Sequence, residues 1–94
     1  MATVTLIYHD GDFLGAAKNY KAAINFLISQ QYIMGEDEVA PFVCSDDRWY
    51  FNNGRLDEVV GPDWQHIMLN DWDIHEFNSF WDSWFELQEV NIYE

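Results

Sequence analysis

Acidic side chains outnumber basic ones by 17 to four, and the excess is confined to one part of the chain. Residues 1–35 hold Asp10, Asp12, Lys18 and Lys21, which cancel. Of the 17 acids the remaining 15 lie in residues 36–94, with only Arg48 and Arg55 beside them, so the whole net charge of −13 sits there. Self-repulsion at that load opposes any compact state. A fold then needs strong apolar burial, and the aromatic content of 18% supplies it: five Trp, five Tyr and seven Phe. With 49% apolar residues, wholesale disorder is not expected. A length of 94 residues predicts one domain. Residues 1–35 read as a neutral hairpin–helix scaffold and residues 36–94 as its acidic, aromatic-rich part.

Local patterning predicts an α+β fold. Val4, Leu6 and Tyr8 alternate with Thr5 and Ile7 in a strand over 3–8, and Asp10-Gly11 is a hairpin turn signal. The return strand over 13–17 is expected to be shortened by Gly15. Asn19 then caps an amphipathic helix carrying Tyr20, Ala23, Ile24, Leu27 and Ile28 on one face and ending near Gln31. Gly35-Glu36-Asp37-Glu38 reads as an acidic loop, and Phe42–Cys44 as a short strand. Asn52-Asn53-Gly54 predicts a second hairpin, joining Arg48–Phe51 to a return at Arg55-Leu56. Pro62 opens a short helix over 63–69. Asp73 with Glu76 makes a capping box for another helix, whose stripe is Ile74, Phe77, Trp81 and Trp84. A last strand over 85–93 follows, with Phe85, Leu87, Val90 and Ile92 inward and a bulge at Gln88-Glu89. The expected architecture is a small antiparallel sheet with an N-terminal hairpin, one amphipathic helix after it, and short C-terminal helices before the last strand.

The lone cysteine, Cys44, excludes an intramolecular disulfide and fits a reducing, cytoplasmic setting. The N-terminus lacks the basic region and long apolar run of a signal peptide. No apolar run approaches a membrane span of about 20 residues, and the charge disfavours anionic lipid.

Site chemistry is sparse. His9, His66 and His75 form no HExxH and no close pair, and no paired CxxC occurs, so neither a metal site nor a cofactor is expected. Neither Asp46-Asp47 nor Asn70-Asp71-Trp72-Asp73 has the layout of a calcium loop. There is no Gly-rich phosphate loop and no nucleophile elbow, which disfavours an enzyme.

The charge itself is the strongest pointer. Thirteen charges equal those on roughly 22 Å of duplex, at one per about 1.7 Å. A chain of this length makes a globule of about 12 Å radius of gyration, roughly 30 Å across. Its mean charge density is thus of the order of that of DNA. Fifteen acids with two bases cannot be absorbed by surface ion pairs, and such a surface attracts Lys/Arg-rich grooves. The candidate contacts are Glu36, Asp37, Glu38, Asp46, Asp47, Asp57, Glu58, Asp63, Asp71 and Asp73, with Trp72 and Trp49 as aromatic anchors.

In size, acidity and aromatic content over the whole chain, the sequence resembles the small phage and mobile-element proteins that disarm bacterial defence, the anti-CRISPR and anti-restriction proteins. No motif carries the likeness, and no site residue follows from it. The resemblance implies a partner that binds nucleic acid through a basic groove, a CRISPR effector before a restriction enzyme. The implied mechanism is occlusion by nucleic-acid mimicry, without contact to nucleic acid. A second class stays open: an acidic adaptor or immunity-type protein that blocks a basic enzyme or toxin through an aromatic hot spot at Trp72, Phe80 or Trp49. A sponge for a small anionic signal is disfavoured, since only four bases are available to hold one.

Overall fold

A computed structural model describes residues 2–39, 42–45, 48–51, 54–82 and 84–92, the strands within 42–51 by their backbone alone. The fold is α+β, as the patterning predicts. Strand β1 (Ala2–His9) turns through Asp10-Gly11 into β2 (Asp12–Ala17). Both turn residues have positive φ, 49° and 84°, as a two-residue turn matched to strand twist requires. The last strand, labelled β7 (Phe85–Ile92), pairs antiparallel with the other side of β1, giving the order β2-β1-β7.

Two expectations about this sheet are corrected. Gly15 does not shorten β2. It pairs with Ile7, while Tyr8 pairs with Phe13, so Leu14 is an extra residue bulged out of β2. The expected bulge at Gln88-Glu89 is absent, because β1 and β7 stay in one register from Ala2↔Ile92 to His9↔Phe85.

That register decides the inward face. Thr5, Ile7, Phe85 and Leu87 are buried, whereas Val4, Leu6, Tyr8 and Val90 are half-buried and Ile92 is exposed on the opposite face. Val90 and Ile92 are therefore not inward. β1 carries apolar residues on both faces, so alternation alone could not say which one packs.

Helix α1 (Tyr20–Ser29) and a later helix, α4 (Ile74–Trp81), cover the inner face. The Asn19 side chain caps α1 by accepting the Ala22 N–H at 2.9 Å. Ala23, Ile24 and Leu27 are fully buried on the predicted face. The helix ends at Ser29, and left-handed Gln31 (φ 61°) turns the chain away. Asp73 caps α4 through the Glu76 N–H at 2.9 Å, as predicted. Phe77 and Trp81 are buried below it. The helix stops at Trp81, with Asp82 left-handed at φ 47°, so Trp84 falls outside the stripe assigned to it.

The middle of the chain departs from the prediction. Arg48–Phe51 does not return along Arg55-Leu56. It forms β5, pairing with β4 (Phe42–Ser45), while β3 (Glu38–Val39) pairs with β6 (Gly54–Arg55). In these two ladders Glu38 faces Arg55, Val39 faces Gly54, Phe42 faces Phe51 and Ser45 faces Arg48. Leu56–Val59 is then helical (α2) rather than extended, and it buries Leu56. Helix α3 (Trp64–His66) widens into a π turn over Ile67–Asp71, closed by the Trp72 N–H to the Ile67 carbonyl at 3.1 Å.

The molecule measures 47 × 29 × 25 Å with a radius of gyration of 14.0 Å, longer than a round globule of its length. Its accessible surface of 6330 Å² exceeds the roughly 5,700 Å² usual for this mass. No helix among the described residues is long and apolar enough to cross a membrane.

One side chain ties α4 to the free edge of the sheet. Asn78 Nδ2 donates to the Leu87 carbonyl at 2.9 Å and its Oδ1 accepts the Leu87 N–H at 2.8 Å. The amide thus stands in for a neighbouring strand at that rung. Asn78→Ala leaves both backbone groups without this partner, and a loss of about 1–3 kcal/mol is expected. Urea unfolding measures it; an unchanged midpoint means that water replaces the amide without cost.

Candidate protein-binding surface

The acidic loop is built by its own backbone and one glycine. The Asp37 carboxylate accepts the Met34 N–H at 2.8 Å, closing the turn. The loop is stitched to α2 by the Leu56 N–H to the Asp37 carbonyl (2.9 Å) and the Asp57 N–H to the Gly35 carbonyl (2.8 Å). Gly35 lies against the buried Trp64 indole, where a Cβ would stand 2.6 Å from Nε1. A side chain there would push the loop off the core.

This stitching gathers five of the candidate acids. Glu36, Asp37 and Glu38 come together with Asp57 and Glu58 in one lobe. Asp57 is held by Arg55 at 2.8 Å, the one ion pair among the described residues. Asp37 and Asp57 therefore have local work, while Glu36, Glu38 and Glu58 are exposed.

The remaining candidates lie elsewhere. Asp63 precedes α3, exposed and without a capping bond from its side chain. Asp71, the last residue of the π turn, and Asp73 flank Trp72, and Asp73 is occupied as the α4 cap. Asp46 and Asp47 lie outside the described residues. Trp49 belongs to β5, in register with Cys44, and its side chain is among those not described.

Trp72 is half-buried, not free. Its ring lies 4.9 Å from that of Phe80, also half-buried, beside a shallow open depression shared with His75, Glu76 and Ser79. Nearby, Tyr20 Oη donates to the Met68 carbonyl of the π turn at 2.6 Å, tying α1 to it. Burial, and then the charges of Asp73 and Glu76, push the Tyr20 phenol well above its ordinary value. The folded state thus favours neutral Tyr20. Its contribution is fully present below about pH 10, the ordinary tyrosine value, and is lost as pH rises through the higher folded value. Tyr20→Phe is expected to cost about 0.5–1.5 kcal/mol at neutral pH through the lost hydrogen bond. The gap to the parent should narrow in urea melts near pH 11, and a constant gap would refute the linkage.

Pattern reasoning missed two exposed aromatics, one from each part of the chain. Trp84 is 50% exposed and Tyr32 40% exposed. His9, at the end of β1, lies between them, with ring centroids 4.6 Å from Trp84 and 6.1 Å from Tyr32. The signal available in the sequence was Asp82, a residue tolerant of left-handed backbone, placed two residues before Trp84. Among the described residues, no three His, Cys, Asp or Glu side chains converge as a metal site. No protein-family model, curated protein or solved structure matches the chain.

Proposed function

We propose that this chain is an inhibitor, not an enzyme, that occludes the basic nucleic-acid groove of a bacterial defence nuclease, a CRISPR effector before a restriction enzyme. The observation that carries the reading is charge left unanswered. Glu36, Glu38, Glu58, Asp63 and Asp71 are exposed, and the one ion pair among the described residues consumes only Asp57. Such carboxylates take the places of phosphates on a Lys/Arg-lined channel. The class resemblance in size, acidity and aromatic content supports the same partner.

The test uses purified effector ribonucleoproteins and restriction enzymes. The chain is added before or after target DNA, at 50 and 200 mM salt. Mimicry expects DNA binding to be blocked when the chain comes first and prebound DNA to exclude the chain. Affinity should fall by about 10³ or more between the two salts, as for ligands that make many phosphate-like contacts. Binding indifferent both to salt and to prebound DNA overturns the proposal.

The exposure of Trp84 and Tyr32 favours a second reading, an adaptor or immunity-type inhibitor anchored by aromatics. In that case alanine at the exposed aromatics weakens binding more than neutralising several acids does.

A further inference from the structure

At the turn end of the three-stranded sheet, aromatic rings lie close to carboxylates with which no Lys or Arg among the described residues pairs. The His9 imidazole lies face to face with the buried Phe85 ring, with centroids 4.7 Å apart and planes at 24°. Trp84 meets His9 edge-on at 83°, and Tyr32 stacks on Phe26 at 6.0 Å and 29°. Trp84 is fixed from its backbone. Its N–H donates to the Trp81 carbonyl at 3.0 Å, and its carbonyl accepts the Asp10 N–H at 2.9 Å. These bonds fix the Trp84 backbone, and its half-exposed indole forfeits apolar burial while it is uncovered.

Exposed acids lie close to His9 and Trp84 along the backbone. Asp10 is bonded to the Trp84 backbone, Asp12 faces His9 across the hairpin, and Asp82 lies two residues before Trp84. The chain's own described cations are elsewhere. Lys18 follows Ala17, which pairs with Thr5, four residues along β1 from His9 and so about 13 Å away. Lys21 donates to Asn70, and Arg55 is taken by Asp57.

Flat π faces beside carboxylates suit a guanidinium. Its plane stacks on the rings and its fork of N–H donors reaches the carboxylates, whereas an ammonium is a compact, strongly hydrated charge. We propose that Trp84 and Tyr32, with the nearby Asp10, Asp12 and Asp82, seat an arginine side chain of the partner protein. The proposal rests on the reading that the partner is basic, and it adds which cation is recognised and where.

The probes are blocked hexa-arginine and hexa-lysine peptides, titrated at low salt into the full chain, with the Trp84 indole N–H and Tyr32 ring resonances followed by NMR. The arginine peptide is expected to bind about tenfold more tightly than the lysine peptide and to shift both sets of resonances. Trp84→Ala should bring arginine affinity down to the lysine level and leave lysine affinity unchanged. Its half-exposed position spares the core, circular dichroism checks the fold, and Tyr32→Ala serves as the second variant. Equal affinities, with shifts confined to residues 36–38 and 57–58, overturn the arginine seat and leave the basic-partner reading standing. Failure of both peptides to bind overturns the seat and counts against that reading as well.

Discussion

Phe77→Ala is expected to bring the domain to the margin of stability. Phe77 is completely buried on α4, with its ring 6.2 Å from both Tyr20 and Trp81. It joins the helix layer to the residues that carry the π turn. Truncation removes a large apolar side chain and leaves a cavity that rigid neighbours fill poorly, at a cost of about 3–5 kcal/mol. A domain of this length holds about 5–14 kcal/mol in total, and the charge of −13 works against it. Each kcal/mol corresponds to roughly 4–8 °C at this size. A fall in Tm well beyond 10 °C, or loss of a cooperative transition, is the expected result. A drop of only a few degrees would mean that α4 is not central to the core.

Neutralising five exposed acids should act in the opposite sense on the fold and far more strongly on binding. The set is Glu36→Gln, Glu38→Gln, Glu58→Gln, Asp63→Asn and Asp71→Asn. Each change keeps the side-chain shape and removes one of the 17 negative charges. Asp37, Asp57 and Asp73 are spared, because they close a turn, hold Arg55 and cap α4. Self-repulsion falls, so stability should rise or stay level. Affinity for the basic partner should fall by about 10²–10³ at low salt, with a shallower salt dependence. Isothermal titration at several salt concentrations, beside urea melts, separates the two effects. Undiminished affinity would place the binding energy in the aromatic residues.

What could be read from the sequence was local. Asp10-Gly11, the Asn19 cap and the Asp73 cap each act within four residues, and each stands in the structure as predicted. Of the expected Asp73–Glu76 box only this half forms, Asp73 accepting the Glu76 N–H. Asn53-Gly54 carries an equally strong turn signal, yet the strand after it pairs with Glu38–Val39. Tertiary pairing overrode a local preference there. The inward face of β7 was legible only as far as Leu87, because Val90 and Ile92 break the two-residue period that the continuous register imposes. For the surface, acidity was visible as composition. The division of labour among carboxylates was not, since Asp37 and Asp57 are occupied by groups brought to them by the fold. Trp84 was misplaced because helical spacing continues through it, while the helix itself ends at Trp81.

Each of the two central ladders ties chain length to which side chains share a face. The β3–β6 ladder is anchored beside α2, with Glu38 opposite Arg55 and Val39 opposite Gly54. Adding two residues to each of its strands would lengthen it by about 6.7 Å and keep every side chain on its own face. One residue added to a single strand would instead reverse the faces beyond it. Length there changes in even steps if the sheet-and-helix core is to stay as it is.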